Sequence, residues 1–141
     1  MKGEIIMRTV LKVKDITKIY AQGQKPSLSN VSFDVAKGEF IGIMGASGSG
    51  KTTLLNVLST IDKATSGEVY INDVNLKSLN DKQSADFRRD NLGFIFQEYF
   101  LLDSLTIQEN IAVPLTLQKL SPKKIEGKIQ SLAERFGIAS Q

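Results

Sequence analysis

Apolar and polar positions along the chain fall into short blocks whose period switches between two and about 3.6. From Val10 to Ile16 they alternate, with Val10, Lys12 and Lys14 on one face and Leu11, Val13 and Asp15 on the other. That pattern predicts a strand with a wet side. Ile19-Tyr20 follows, then the turn cluster Gly23-Gln24-Lys25-Pro26-Ser27. Leu28 to Val35 predicts a second strand, with Val31, Phe33 and Val35 on one face, before Lys37-Gly38 turns the chain again. Two early strands joined by a turn predict an antiparallel sheet beside an α/β core.

The pattern then changes. Phe40-Ile41-Gly42-Ile43-Met44 is a short apolar run of the kind a buried parallel strand needs. Leu54, Leu55, Val57, Leu58 and Ile61 predict a helix that is apolar over most of its circumference. Ala64-Thr65-Ser66-Gly67 reads as a loop, Glu68-Val69-Tyr70-Ile71 as a short strand and Asn72-Asp73 as a turn. Leu79 to Asp90 is polar with sparse apolar positions, which predicts a surface helix capped by Asn80 or Asp81. Leu92-Gly93-Phe94-Ile95-Phe96 predicts another buried strand, with Gln97 at its carboxyl end, where ligands gather in open α/β sheets. Leu105 to Leu120 is helical in pattern, with a break or kink expected at Pro114. A last helix is capped by Ser121, carries Pro122 in its first turn, and ends with Gly137 at the C′ position. Its stripe is Ile125, Ile129, Leu132, Ala133 and Phe136.

Between the first apolar run and the first helix stands Gly45-Ala46-Ser47-Gly48-Ser49-Gly50-Lys51-Thr52, which matches G-x-x-x-x-G-K-[ST]. Polyphosphate concentrates charge in a small volume, so it needs many donors that do not crowd each other. Glycines let backbone N–H groups converge on its oxygens as a nest, and a helix beginning there adds its positive dipole end. Lys51 supplies a mobile cation, and the Thr52 hydroxyl is suited to the coordination shell of Mg²⁺. A flexible Gly/Ser linker is the plainer reading of such a stretch. The context of apolar run, glycine loop and helix argues against it.

Composition narrows the choices. The 141 residues are 41% hydrophobic and 23% charged, the balance of an ordinary globular domain or part of one. No apolar run approaches a membrane span, and the N-terminal stretch lacks a signal-peptide core, so a cytoplasmic location is expected. The absence of cysteine and histidine excludes disulfides, thiolate sites and every imidazole-based acid, base or ligand. The net charge is +3, but the 18 basic residues are scattered among 15 acidic ones. That favours a solvated surface over a nucleic-acid stripe.

Placed together, these stretches resemble the ATP-binding subunits of ABC transporters. Asp15-Ile16-Thr17-Lys18-Ile19-Tyr20 looks like the family's opening segment, whose aromatic stacks on adenine. Leu28-Ser29-Asn30-Val31-Ser32-Phe33 and Lys37-Gly38-Glu39-Phe40 resemble the run into the phosphate loop. Thr65-Ser66-Gly67-Glu68-Val69 is similar to the stretch after its helix. Phe94-Ile95-Phe96-Gln97 resembles the Q-loop, and Leu105-Thr106-Ile107-Gln108-Glu109-Asn110-Ile111 the segment beyond it. Within the family, Gly93 to Leu115 looks most like the branch serving lipoprotein release, macrolide efflux or antimicrobial-peptide resistance.

The resemblance implies a phosphate-loop NTPase core, a parallel sheet with flanking helices, plus an N-terminal antiparallel β-subdomain. The antiparallel strands would occupy about 8–38, the phosphate-loop strand and helix 39–62, the Q-loop region 92–111 and the start of a helical subdomain 105–141. It implies ATP and Mg²⁺ as cofactors. Tyr20 would stack on adenine, Gly45 through Thr52 with Thr53 would hold the phosphates, Thr52 and Gln97 would ligate the metal, and Gln97 would also orient the attacking water. Glu98, Tyr99 and the residues after Leu101 would form a groove for a helix of a transmembrane permease, which would hold the protein at the inner face of the membrane. A second ATP-binding subunit would complete the working dimer.

Several family features are missing from the 141 residues. There is no L-S-G-G-Q-like signature and no switch histidine, and the nearest Walker B string, Tyr99-Phe100-Leu101-Leu102-Asp103, is followed by Ser104 rather than glutamate. The expectation is the first part of such an ATPase, truncated before the signature, inactive by itself and prone to self-association through the helix from Ser121 to Phe136. Two other readings remain. One is a non-transport ABC protein or a non-hydrolysing ATP-binding regulator. The other is a small kinase or GTPase with Asp103 as its metal-holding acid, although no N-K-x-D string is present.

Overall fold

The computed structural model describes residues 8–23, 25–96 and 98–140. They divide into two compact units, one running to Arg88 and the other starting at Arg89.

The first unit is built on four strands: β1 (Thr9–Lys18), β2 (Leu28–Ala36), β3 (Ser66–Ile71) and β4 (Val74–Asn75), in the order β2-β1-β3-β4 with every pairing antiparallel. The expected N-terminal antiparallel sheet is therefore present, and β3 extends it. Asn72 and Asp73, both at positive φ, form the tight β3–β4 turn.

The simple alternation expected along β1 does not hold. Val13 and Ile16 are three residues apart, yet both are fully buried. Asp15 sits at φ 48, and the register with β2 shifts between Val13 and Ile16. This is a bulge, which resets the phase of the strand. Ser32 of β2 closes it: Asp15 donates its backbone N–H to Ser32 Oγ at 2.7 Å, and Ser32 Oγ donates back to Asp15 Oδ1 at 2.9 Å. On the other side Gly67 faces the bulge, and a Cβ there would lie 2.5 Å from the carbonyl oxygens of both Lys14 and Asp15. Only glycine fits.

Two helices belong to this unit in whole or in large part, α1 (Lys51–Leu58) and α2 (Asp81–Asn91). The buried side chains Leu54 and Val57 of α1, Phe87 of α2 and Leu76 join Val13, Ile16, Leu28 and Val69 of the sheet in the core. Asn80 caps α2 as expected, its Oδ1 accepting from the Gln83 N–H while Gln83 Oε1 accepts from the Asn80 N–H, each at 2.9 Å. Of the apolar positions that predict a helix apolar over most of its circumference, Leu55 and Ile61 are exposed.

The two predicted buried parallel strands are not formed. Residues 40–44 and 92–96 join no ladder, and Phe40 (99%), Met44 (93%) and Ile95 (103%) are open to solvent. An apolar run makes a buried strand only if neighbours on both sides supply partners, and the described sheet ends at β2 and β4.

In the second unit α3 (Ile107–Leu117) and α4 (Pro122–Arg135) pack together, with Leu115 and Ile129 buried. Thr106 and Glu109 form a reciprocal capping box at the start of α3. Asn110 ties the preceding loop down, accepting from the Leu102 N–H at 2.9 Å and donating to the carbonyls of Leu102, Leu105 and Thr106. Of the break or kink expected at Pro114 the break is absent: α3 runs from Ile107 to Leu117 with the proline inside it, its ring removing a single N–H from a helix well anchored at its start. Ser121 occupies the N-cap of α4 without a side-chain capping bond. At the other end the N–H groups of Gly137 and Ile138 reach Glu134 O and Ala133 O, a Schellman closure.

Candidate phosphate-loop site

The loop from Gly45 to Gly50 leads directly into α1. Gly50 is the residue before the helix, at φ 90, and a Cβ there would stand 2.4 Å from the Ser27 carbonyl oxygen and 3.1 Å from Leu28. Backbone freedom and close approach of β2 both require glycine here. Gly48 is also at positive φ, and the Ser49 N–H turns back to Ala46 O at 3.2 Å. Lys51 closes the loop from the first helical position, its Nζ donating to Gly45 O and Ala46 O, each at 2.8 Å. Ala46, Ser47, Ser49 and Thr52 are exposed, while Gly50, Lys51 and Thr53 are half-buried. The helix start, the cation and the hydroxyls thus share one end of α1.

Tyr20 lies beside the same helix. Its hydroxyl is 3.5 Å from Thr53 Oγ1 in the first turn of α1, and its ring is about half exposed. The segment before it is tightly held. Thr65 donates its N–H to Thr17 O, and its hydroxyl oxygen accepts the Ile19 N–H at 3.0 Å. Lys18 Nζ stands over the Tyr20 ring, 4.8 Å from its centroid. The same ammonium donates to Asp62 Oδ1 at 2.6 Å and to Lys63 O at 2.8 Å. Burial pushes the Asp62 carboxyl up, but the hydrogen bonds from Lys18 and from the Lys63 N–H, with the Lys18 charge, outweigh it and hold the group below the usual value.

Of the residues expected at the site, Gly45 to Thr53 and Tyr20 are brought together on and beside α1. Gln97 lies outside the described residues. Asp103 sits in a turn after an exposed segment with no strand, which leaves the small-kinase reading without its strand-borne acid. Lys18, Asp62 and Thr65 do not stand out in the sequence as site residues. The one available signal is that Lys18 and Tyr20 are two apart, on one side of an extended segment. Among the described residues no group of three or more acidic side chains is placed to hold a metal. A nucleotide-bound Mg²⁺ takes most of its oxygens from phosphate and water, and the exposed Thr52 hydroxyl is a fitting single protein ligand.

A lysine-closed glycine loop at a helix start, beside an antiparallel sheet, defines a member of the phosphate-loop class. The chain belongs to the ABC transporter ATP-binding family, whose model, described as "ABC transporter", matches residues 28–141. It is 49% identical over 133 residues to the ABC transporter ATP-binding protein YxdL of Bacillus subtilis, covering 94% of this chain and 52% of that protein. It is 47% identical over 131 residues to the bacitracin export ATP-binding protein BceA of Halalkalibacterium halodurans, covering 92% and 52%. Among solved structures it is similar to the ATP-binding cassette MJ0796 of Methanocaldococcus jannaschii, in a dimeric post-hydrolysis state bound to ADP and Pi. That match has a TM-score of 0.79 at 37% identity and covers 88% of this chain and 56% of the other. The chain spans about half the length of these relatives.

Proposed function

We propose that the chain is the nucleotide-binding part of an ATPase subunit that energises export across a membrane. The observation that carries this reading is the convergence on α1. The Lys51-closed loop opens the helix, and Tyr20 reaches its first turn through Thr53, so one helix carries groups suited to both ends of a nucleotide. Backbone N–H groups of residues 45–50 would receive the phosphate oxygens, and Lys51 would leave the loop carbonyls for the terminal phosphates. Mg²⁺, when bound, would supply charge neutralisation between phosphates, with the exposed Thr52 hydroxyl as its ligand from the first unit; the family resemblance separately gives Gln97 a part in metal binding and in orienting water. The export assignment is supported by the bacitracin export relative. On this reading the protein would work in the cytoplasm, at the inner face of the membrane, against a permease that would receive Glu98, Tyr99 and the residues after Leu101. A second ATP-binding subunit would pair with it, as in the dimeric cassette it resembles.

The test is calorimetry with Mg-ATP on Lys51→Ala. The substitution leaves the loop backbone in place and removes the cation that bridges it. Charge-assisted contacts contribute about 1.5–3 kcal/mol, so binding is expected to weaken by about tenfold or more. Equal affinity in the variant would remove the phosphate-loop assignment.

A further inference from the structure

We infer that Lys18 is a positioning residue for the base of the nucleotide: it holds the Tyr20 ring beside α1 and leaves one ring face for adenine. The inference rests on the nucleotide-binding reading above and adds a residue to it. Lys18 is not a surface cation that happens to lie near a ring. Its side chain is only 12% exposed, and its ammonium is fixed by two short donations, to Asp62 Oδ1 at 2.6 Å and to Lys63 O at 2.8 Å. Both acceptors follow α1 in the chain, so the ammonium is anchored to the segment leaving the phosphate-loop helix. From that anchor Nζ stands 4.8 Å from the Tyr20 centroid.

Three constraints then act on one ring. The backbone leading to it is tied to Thr65, its hydroxyl end rests near Thr53, and one face is covered by the cation. A half-exposed tyrosine in the bend just beyond β1 would otherwise sample several rotamers, and binding a base would have to order it. Here the ring is ordered in advance, and stacking is confined to the face opposite the ammonium. The role of Lys18 is therefore exerted through Tyr20, and it contributes nothing to phosphate binding.

The test uses the whole chain, with Mg-ATP and Mg-tripolyphosphate as separate probes. Lys18→Met keeps the length of the stem and removes the cation. It is expected to weaken ATP about two- to fivefold, the lower end of what a cation–ring contact contributes, while tripolyphosphate binding stays the same. Lys18→Arg should restore ATP binding. In a Tyr20→Ala background, Lys18→Met should have no further effect. A parallel loss of both probes, or a Lys18→Met effect that survives in Tyr20→Ala, would overturn the inference. If Tyr20→Ala weakens ATP selectively but Lys18→Met does not, the inference fails and the adenine-stacking reading stands. If Tyr20→Ala leaves ATP untouched, both fail. The ligand-free protein gives an independent check by NMR. The Lys18 ε-methylene protons should be shifted upfield by the ring and return to ordinary values in Tyr20→Ala. Unshifted protons in the unmodified chain would overturn the inference without any ligand being added.

Discussion

Lys51 and Lys18 are two cations in one unit, held in different ways. Lys51 rests on backbone carbonyls of an exposed loop, which a phosphate oxygen can replace as partners. Lys18 is paired with a carboxylate in a part-buried setting, where replacement would leave Asp62 without its charged partner and with only neutral donors such as the Lys63 N–H. That pairing has a pH signature. The folded pKa of Asp62 is lowered from 3.8, so its unfolded form takes up a proton first as pH falls. The stability it contributes is complete above the unfolded value and is lost as pH falls through the folded one. Thermal melting from about pH 7 down to about pH 3 should therefore show an acid-dependent loss concentrated below pH 3.8. Asp62→Asn is expected to lower stability at neutral pH and to flatten that dependence. An unchanged acid limb in the variant would mean that the pair contributes nothing.

Among the elements, β1 shows best how a local irregularity directs the rest. The Asp15 bulge turns Ile16 inward, and Gly67 is the only residue type that fits against it. Gly127, by contrast, lies within α4 with open space where a Cβ would stand, nothing coming within 4 Å of it, and no strained φ. Two glycine-to-alanine changes should therefore have opposite signs. Gly67→Ala forces backbone apart and should destabilise the first unit by about 1–3 kcal/mol. Gly127→Ala should stabilise α4 by about 1 kcal/mol. Amide exchange in each unit would measure both, and equal signs would contradict the packing described. The same elements show what the amino-acid pattern could and could not reveal. The phosphate loop was legible because a nest is made by consecutive residues. The cap at Asn80, the turn at Asn72-Asp73 and the end of α4 at Gly137 were legible for the same reason. The bulge was not, because alternation assumes an unbroken pleat. Residues 40–44 and 92–96 read as buried because apolar runs usually are, but burial needs neighbours that a local pattern does not contain. The Lys18–Asp62 pair spans 44 positions, beyond the reach of any periodicity.

For the molecule as a whole, the exposed apolar side chains decide behaviour in solution. Phe40 and Met44 in the first unit are almost fully exposed, and Tyr99, Phe100 and Leu101 in the second are largely so. Extended apolar segments with free backbone groups pair with other copies unless something covers them. The 141-residue chain by itself is expected to self-associate, and light scattering at high micromolar concentration would reveal it. A stable monomer would show that these segments tolerate water. The chain by itself is also expected to release phosphate from ATP no faster than background. Neither a histidine nor an L-S-G-G-Q-like string occurs in the 141 residues, and phosphoryl transfer depends on groups that position water and balance charge. Sustained release abolished by Lys51→Ala would contradict this.

The order of the strands has a consequence in time. β1 lies between β2 and β3, so it must meet a near neighbour and a distant one. The Lys18 and Leu28 pairing closes a short excursion, whereas the Thr17 and Ser66 pairing closes one about five times longer, at an added entropic cost of about 1.4 kcal/mol. The phosphate loop and α1 lie inside that longer excursion. The β1–β2 hairpin can therefore assemble early as a local event, while the segment that carries the phosphate loop and α1 is closed off only when β3 pairs with β1.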